Sequence, residues 1–153
     1  GNRLARTAAG PGYAACTGPF APCTKSSSHP ILRSTGGSYA PGGADGIVDE
    51  VTQRAYLLWK TEGNRYGNYP AIWSRQLNWN GTGFASGSSA RKLLTVSQAW
   101  EGTVVENPSL TKVAGRYVLL YSGNQFASTA AGTGYAVCTG PLGPCTKLSL
   151  IHI

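Results

Sequence analysis

Residues 123–147 read GNQFASTAAGTGYAVCTGPLGPCTK, and residues 1–25 read GNRLARTAAGPGYAACTGPFAPCTK. The two stretches align without gaps at an offset of 122 and agree at 18 of 25 positions. A match of this length is not an accident of composition. The chain therefore contains an internal repeat, and the spacing of that repeat indicates the architecture.

A weaker copy is expected halfway between them, because 122 is twice 61. The run Tyr-Leu-Leu-Trp at 56–59 precedes Tyr-Val-Leu-Leu at 117–120 by 61 residues. A second run, at 71–77, falls where the Gly-Tyr-Ala strand of the repeat should recur. These runs are rich in β-forming residues and have the length of strands. A period near 60 with about four short strands per unit predicts the blades of a β-propeller.

The predicted organisation is an incomplete propeller over residues 1–147. It consists of the outer part of a first blade (1–25), a linker (26–39), a second blade (about 40–95) and a third blade (98–147), followed by an unassigned tail (148–153). A blade cannot bury its own faces and needs a neighbour on each side. Since a propeller closes with about four blades or more, we expect the chain to be an internal part of a longer protein.

Composition supports an all-β protein. Hydrophobic residues make up 41% of the chain and charged residues only 12%, and there are 21 Gly. This suits short strands and tight turns better than long surface helices. The net charge is +7, but the 13 Lys and Arg residues form no run longer than Arg91-Lys92, which favours a plain basic surface over nucleic-acid binding. No apolar stretch approaches the roughly 20 residues that cross a bilayer.

Any acid–base chemistry must use the six acidic residues of the chain. Asp45 and Glu106 are 61 residues apart, so we expect them at equivalent positions on the innermost strands of consecutive blades, facing one pocket. Two carboxyl groups that meet in this way are the minimum for glycoside hydrolysis. Asp45, within Gly-Ala-Asp-Gly, also suits a turn, whereas Glu106, between Val-Val and Asn-Pro, is poorly placed for a solvated surface. Of the other four, Asp49 and Glu50 are expected in an exposed hairpin and Glu62 in a loop. Glu101 is the alternative candidate for the acid role of Glu106.

Residues 100–109, WEGTVVENPS, and 115–124, GRYVLLYSGN, resemble glycoside hydrolase family 43. The strand and turn at 134–144 and the run YLLWKTEGN at 56–64 are also similar to that family. The similarity covers residues 1–147. It implies a five-bladed propeller that acts as an arabinofuranosidase, xylosidase or arabinanase and inverts the anomeric carbon.

The resemblance also implies roles for two residues. The Glu of the family's Val-Glu-x-Pro-Ser motif is the general acid, which corresponds to Glu106. An Asp on the inner strand of the preceding blade tunes the pKa of that acid and orients it, which corresponds to Asp45, although Gly46 stands where the family has Pro. The general base is an Asp of the first blade, for which the chain offers no candidate. An inverting enzyme needs both carboxyl groups, roughly 6.5–9.5 Å apart, so we expect this polypeptide to be inactive.

The four cysteines repeat the spacing Cys-Thr-Gly-Pro-x-x-Pro-Cys at Cys16/Cys23 and Cys138/Cys145. Six intervening residues do not match the short spacings of zinc sites. A disulfide in each outer hairpin is favoured over free buried thiols and would imply an oxidising, extracellular setting. Of the tryptophans, Trp100 lies close to the acid motif and is predicted to stack on a sugar, whereas the others are expected to fill space between blades.

The leading functional hypothesis is a secreted inverting glycoside hydrolase that acts on arabinose- or xylose-containing plant cell-wall polysaccharides or oligosaccharides. No metal site or cofactor is predicted, apart from a structural ion that a full-length propeller could hold, and neither a nucleic acid nor a membrane is an expected partner. A carbohydrate-binding propeller without hydrolysis is the alternative, and a structural repeat protein without a ligand is the third hypothesis. A first-blade Asp discriminates the first two, because only a hydrolase requires it.

Overall fold

Three antiparallel sheets make up the computed structural model, which describes residues 10–26, 30–35, 38–63 and 69–148. The strands are β1 (Ala14–Cys16), β2 (Cys23–Lys25), β3 (Gly42–Asp49), β4 (Arg54–Thr61), β5 (Ala71–Gln76), β6 (Arg91–Thr95), β7 (Val105–Val113), β8 (Arg116–Gly123), β9 (Gly132–Cys138) and β10 (Cys145–Lys147). A short 3-10 helix, Ala99–Glu101, lies between β6 and β7. In the described ranges no helix is long and apolar enough to cross a membrane.

Two of the sheets are four-stranded meanders, the strand arrangement of propeller blades. Their orders are β3-β4-β5-β6 and β7-β8-β9-β10. The strands of the first sheet lie within 40–95 and those of the second within 98–147. The two-stranded sheet β1-β2 repeats the outer hairpin β9-β10 in the same register, because Ala14 pairs with Lys25 as Ala136 pairs with Lys147. The prediction of an all-β protein is confirmed.

The hydrophobic core lies between the two four-stranded sheets. One continuous cluster joins Leu58, Ile72 and Leu94 of the first sheet to Val105, Leu110, Leu119, Tyr121 and Ala136 of the second. Full burial of a Leu or Ile side chain contributes roughly 1.5–3 kcal/mol. Each blade therefore supplies the apolar cover that its neighbour lacks, as the repeat architecture requires.

The expected shared register of Asp45 and Glu106 is wrong. Asp45 pairs with Leu58 directly after the register irregularity of β3, and the residue at the same place in β7 is Ser109, which pairs with Leu120. Glu106 instead pairs with Ser122 before the irregularity of β7, the place that Gly42, paired with Lys60, has in β3. The two acidic residues therefore occupy different levels of their blades.

Turn length is the physical reason for this shift. Four residues lie between the paired residues Asp49 and Arg54 at the β3–β4 turn, whereas two lie between the equivalent pair Val113 and Arg116 at the β7–β8 turn. The two extra residues displace β3 relative to β7, so equivalent residues are 62 apart in β4 and β8 but 64 apart in the innermost strands. Each innermost strand also has a register irregularity, between Gly42 and Asp45 in β3 and between Glu106 and Ser109 in β7.

Candidate active site

Glu106 lies at the start of β7, where the register irregularity interrupts the pairing with β8. The next residue, Asn107, has a φ of 50°, in the left-handed region, which bends the strand at this point. The Glu106 side chain is 20% exposed. It opens into a cleft of about 740 Å³ lined by Lys60, Glu62, Gly63, Tyr69, Pro70, Thr103, Val104, Glu106, Gln125 and Phe126.

Lys60 connects Glu106 to a second carboxylate across the two blades. The Nζ atom of Lys60 lies 3.6 Å from Oε2 of Glu106 and 2.8 Å from Oε1 of Glu62. Lys60 and Glu62 are two residues apart at the end of β4, so their side chains leave the chain on the same side. The cleft thus contains two carboxylates that share one ammonium group.

Lys60 was not predicted from the sequence as a site residue, although one signal was available. Lys60 directly follows the apolar run 57–59 of a buried strand. A cation on a buried strand needs an anionic partner. Its partner in the next blade, Glu106, is 46 residues away in sequence and could not be assigned from the strand pattern.

Asp45 is fastened to the neighbouring blade and does not line the cleft. Its Oδ2 atom accepts a hydrogen bond from the backbone N–H of Leu110, at 3.3 Å. Leu110 lies four residues after Glu106 on β7, so Asp45 connects the inner strands of the two blades. Among the described lining residues of the Glu106 cleft, Asp45 is absent. The orienting role of Asp45 stays a prediction.

The surroundings of Glu101 do not suit the role of a catalytic proton donor, for which it was the alternative to Glu106. It is fully buried, and its carboxylate accepts hydrogen bonds from the backbone N–H groups of Ser97 and Gln98, the Tyr121 hydroxyl and the Lys147 ammonium group. Burial by itself would raise the pKa of Glu101, but these hydrogen bonds outweigh it and lower the pKa. Tyr121 responds in the opposite direction, since burial and the bond to Glu101 raise its pKa. Glu101 is therefore a buried anion held by its partners rather than a proton donor.

Trp100 packs against strands β8 and β9 of the third blade. A Cβ atom at Gly123 would lie 2.4 Å from its ring, and one at Gly134 would lie 2.6 Å from it, so both positions need glycine for this contact. The ring centroid lies 5.8 Å from that of Tyr121, and the indole N–H donates to the side-chain oxygen of Gln98 at 2.7 Å. Trp100 is partly buried and is not among the residues that line the cleft. Its sugar-stacking role stays a prediction.

Asp49 is not the exposed hairpin residue that the sequence suggested, whereas Glu50 is exposed. Asp49 is 3% exposed, and its carboxylate accepts hydrogen bonds from the Thr52 hydroxyl at 2.6 Å and from the Tyr117 hydroxyl of the other blade. These two bonds, with smaller contributions from backbone N–H groups, lower the pKa of Asp49 to about 2 against the opposing effect of burial. The sequence could not reveal this contact, because Tyr117 is 68 residues away.

Both predicted disulfides are present. Cys16 is bonded to Cys23 and Cys138 to Cys145, and no free cysteine remains in the described part of the chain. Each bond closes the outer hairpin of a blade, β1–β2 or β9–β10. Within the described residues, no group of three or more His, Cys, Asp or Glu side chains could hold a metal ion.

Several solved structures are similar to this fold. An endo-1,4-beta-xylanase from Bacteroides thetaiotaomicron superimposes with a TM-score of 0.73 at 27% identity, over 89% of this chain and 44% of that one. A thermostable family-43 glycoside hydrolase gives 0.74 at 23% identity, over 90% and 45%. An endo-arabinase from Bacteroides thetaiotaomicron gives 0.72 at 16% identity, over 93% and 52%. No protein-family model and no curated protein sequence matches the chain.

These comparisons confirm that the chain has the fold of part of a β-propeller. More particularly, the fold is the one found in the propellers of family 43 glycoside hydrolases, as the sequence resemblance implied. The chain spans about half the length of the structures it matches.

Proposed function

We propose that the chain is the acid-bearing part of a family 43-like glycoside hydrolase that acts, with inversion, on arabinose- or xylose-containing plant polysaccharides or oligosaccharides. The observation that carries the proposal is the position of Glu106. It lies in the Val-Glu-Asn-Pro-Ser motif, at the start of an innermost strand, and its side chain opens into a cleft. The similar xylanase and endo-arabinase structures support the choice of substrate class.

In this mechanism Glu106 donates its proton to the glycosidic oxygen while the bond from that oxygen to the anomeric carbon breaks. A water molecule attacks the opposite face of the sugar, and a second carboxylate removes a proton from it. Asp45 holds the inner strands together behind Glu106 through the Leu110 N–H. Lys60 and Glu62 provide charged groups for the sugar hydroxyls.

We further propose that this chain alone does not complete the reaction with water. Glu101 and Asp49 are committed to buried hydrogen bonds, and Glu62 is paired with Lys60. Among the described residues, the chain therefore supplies an acid but no carboxylate placed as the base. The two disulfides support an extracellular location, because such bonds persist in oxidising compartments.

Azide provides the test, because it is a nucleophile that needs no general base. We expect the chain to release phenol from phenyl arabinofuranosides or xylosides in azide and to form the glycosyl azide of inverted configuration, which NMR identifies. E106Q should abolish this release, because the leaving oxygen then receives no proton. The exposed E50Q serves as a control and should behave like the wild type.

The alternative is a carbohydrate-binding propeller without hydrolysis. It is favoured by the hydrogen bonds and ion pairs of Glu101, Asp49 and Glu62, because these carboxylates are then not available as a catalytic base. Binding of the sugars with no phenol release in azide, by wild type and E106Q alike, would establish the alternative and overturn the hydrolase proposal.

A further inference from the structure

Four aromatic side chains of the described residues are largely exposed, and two of them line the Glu106 cleft. Tyr69 is 77% exposed and Phe126 is 94% exposed, and both belong to the cleft. The other two, Phe20 and Trp79, lie outside it. A ligand that covers such a side chain removes its apolar surface from water, so exposed aromatics that border a concave site indicate a ligand.

We propose that Tyr69 and Phe126 are the aromatic platforms of the sugar site, a role that the sequence assigned to Trp100. This inference rests on the proposed function and names the side chains that contact the substrate. Trp100 instead packs part of its ring against Gly123 and Gly134. The occupant is a short chain of pentosyl units, whose C–H faces stack on aromatic rings.

Phe126 stands on a loop whose base is fixed to the blade. The N–H of Asn124 donates to the carbonyl oxygens of Glu101 and Val104, at 2.8 and 3.1 Å. The next turn is closed by the N–H of Ser128, which donates to the Gln125 carbonyl oxygen at 2.8 Å. The loop therefore presents Phe126 from an anchored base at the edge of the cleft.

Tyr69 is held by the start of β5. The Thr95 hydroxyl donates to the carbonyl oxygen of the adjacent Pro70 at 2.9 Å, and Ala71 pairs with Thr95 in the sheet. Tyr69 thus belongs to the second blade and Phe126 to the third. The two rings border a cleft that the blades form together.

Polar groups complete the lining of the cleft. Lys60, Glu62 and Gln125 line the cleft with Glu106 and offer both donors and acceptors to sugar hydroxyls. Apolar walls with a few polar groups are the composition of carbohydrate and other small-molecule sites, and about 740 Å³ lies within their range of roughly 300–1,000 Å³.

The test is a binding titration of the full chain with xylotriose and with arabinotriose, by calorimetry or NMR. The two sugars distinguish xylan-type from arabinan-type substrates. We expect Y69A and F126A each to weaken binding about tenfold, equivalent to about 1.4 kcal/mol. Y69F and F126Y, which keep the rings, should bind more tightly than Y69A and F126A. F20A and W79A remove equally exposed aromatics outside the cleft and should change nothing.

Wild-type affinity in both Y69A and F126A would overturn the platform assignment while leaving the hydrolase proposal intact. Equal weakening by F20A and W79A would also overturn it, because the effect would then not belong to the cleft. If the wild type binds neither sugar, the platform assignment is overturned, and the azide reaction of E106Q and wild type decides the hydrolase proposal separately.

Discussion

The Glu101–Lys147 pair shows how single residues fix this fold. Glu101 is fully buried and the Lys147 side chain is 10% exposed. The Lys147 ammonium group also donates to the carbonyl oxygen of Thr95, at 2.6 Å, and to the Ser97 hydroxyl, at 3.0 Å. One lysine thus joins β10, the last strand of the third blade, to the end of β6 in the second blade. Removal of one partner of such a pair leaves an uncompensated buried charge.

We predict that E101Q lowers the free energy of unfolding by about 3–5 kcal/mol, because Lys147 then keeps its charge without a counterion. Denaturant titration measures the change. K147M introduced into E101Q should restore part of the loss, since both charges are then gone, whereas E50Q, in an exposed hairpin, should shift the midpoint very little. A loss in E101Q no larger than in E50Q contradicts the role of the pair.

Residues with local signals could be predicted from sequence, and residues with distant partners could not. The location of Glu106 at the start of an inner strand follows from its motif and its distance from the next apolar run. Glu101 is five residues from Glu106, yet its main partner, Lys147, is 46 residues further along the chain. The Glu101–Lys147 contact forms only when the 3-10 helix docks against β8 and β10. A pattern along one strand does not indicate such a contact.

At the scale of elements, hairpins were predictable and the register between inner strands was not. The 18 identities in 25 residues indicate that both Cys-containing hairpins have one structure, and their registers agree. The β3–β4 turn differs in length from the β7–β8 turn, and sequence spacing alone does not show on which side of a turn extra residues lie. This displaced Asp45 from the level of Glu106.

The two hairpin disulfides should contribute differently to stability. Cys138 is 5% exposed and belongs to the core cluster, whereas every residue of β1 and β2 is exposed. A disulfide that closes so short a loop stabilises by about 2–3 kcal/mol through the unfolded chain. We therefore predict that C138S/C145S lowers the main thermal transition, while C16S/C23S leaves it nearly unchanged.

Calorimetry of the two double variants measures this difference directly. The second variant is the matched control, because it removes a bond of the same spacing from the same sequence motif. Equal decreases in Tm would show that the β1–β2 hairpin shares the cooperative core, contrary to its exposure.

At the scale of the whole molecule, stability depends on how one blade docks on the next. Beyond the shared apolar core, Asp49 at the end of β3 accepts a hydrogen bond from the Tyr117 hydroxyl on β8. This bond to Asp49, then burial and the charge of Asp49, raise the pKa of Tyr117 to about 12. A cleft of about 450 Å³ adjoins the contact and includes residues of both blades, among them Ile47 and Lys112. The contact is therefore a titratable bond between blades.

The paired pKa shifts predict how the stability of the docked blades depends on pH. Asp49 has its pKa lowered from 3.8 to about 2, so its contribution is present above about pH 4 and is lost as the pH falls toward 2. Tyr117 has its pKa raised from 10.0 to about 12, so its contribution is present below pH 10 and is lost as the pH rises toward 12.

Y117F removes the hydroxyl that bonds to Asp49 and leaves the Thr52 hydrogen bonds in place. We expect the variant to be less stable than the wild type near neutral pH, because the bond between the blades is gone. The difference should shrink as the pH falls from 4 to 2, because Asp49 takes up its proton in the unfolded state before it does so in the native state, and as the pH rises from 10 to 12, because Tyr117 loses its proton first in the unfolded state. Denaturation midpoints measured from pH 2 to 12 test this, with Y69F as the control for loss of an exposed tyrosine hydroxyl. A constant difference across the whole range would mean that the Asp49–Tyr117 bond does not couple blade docking to pH.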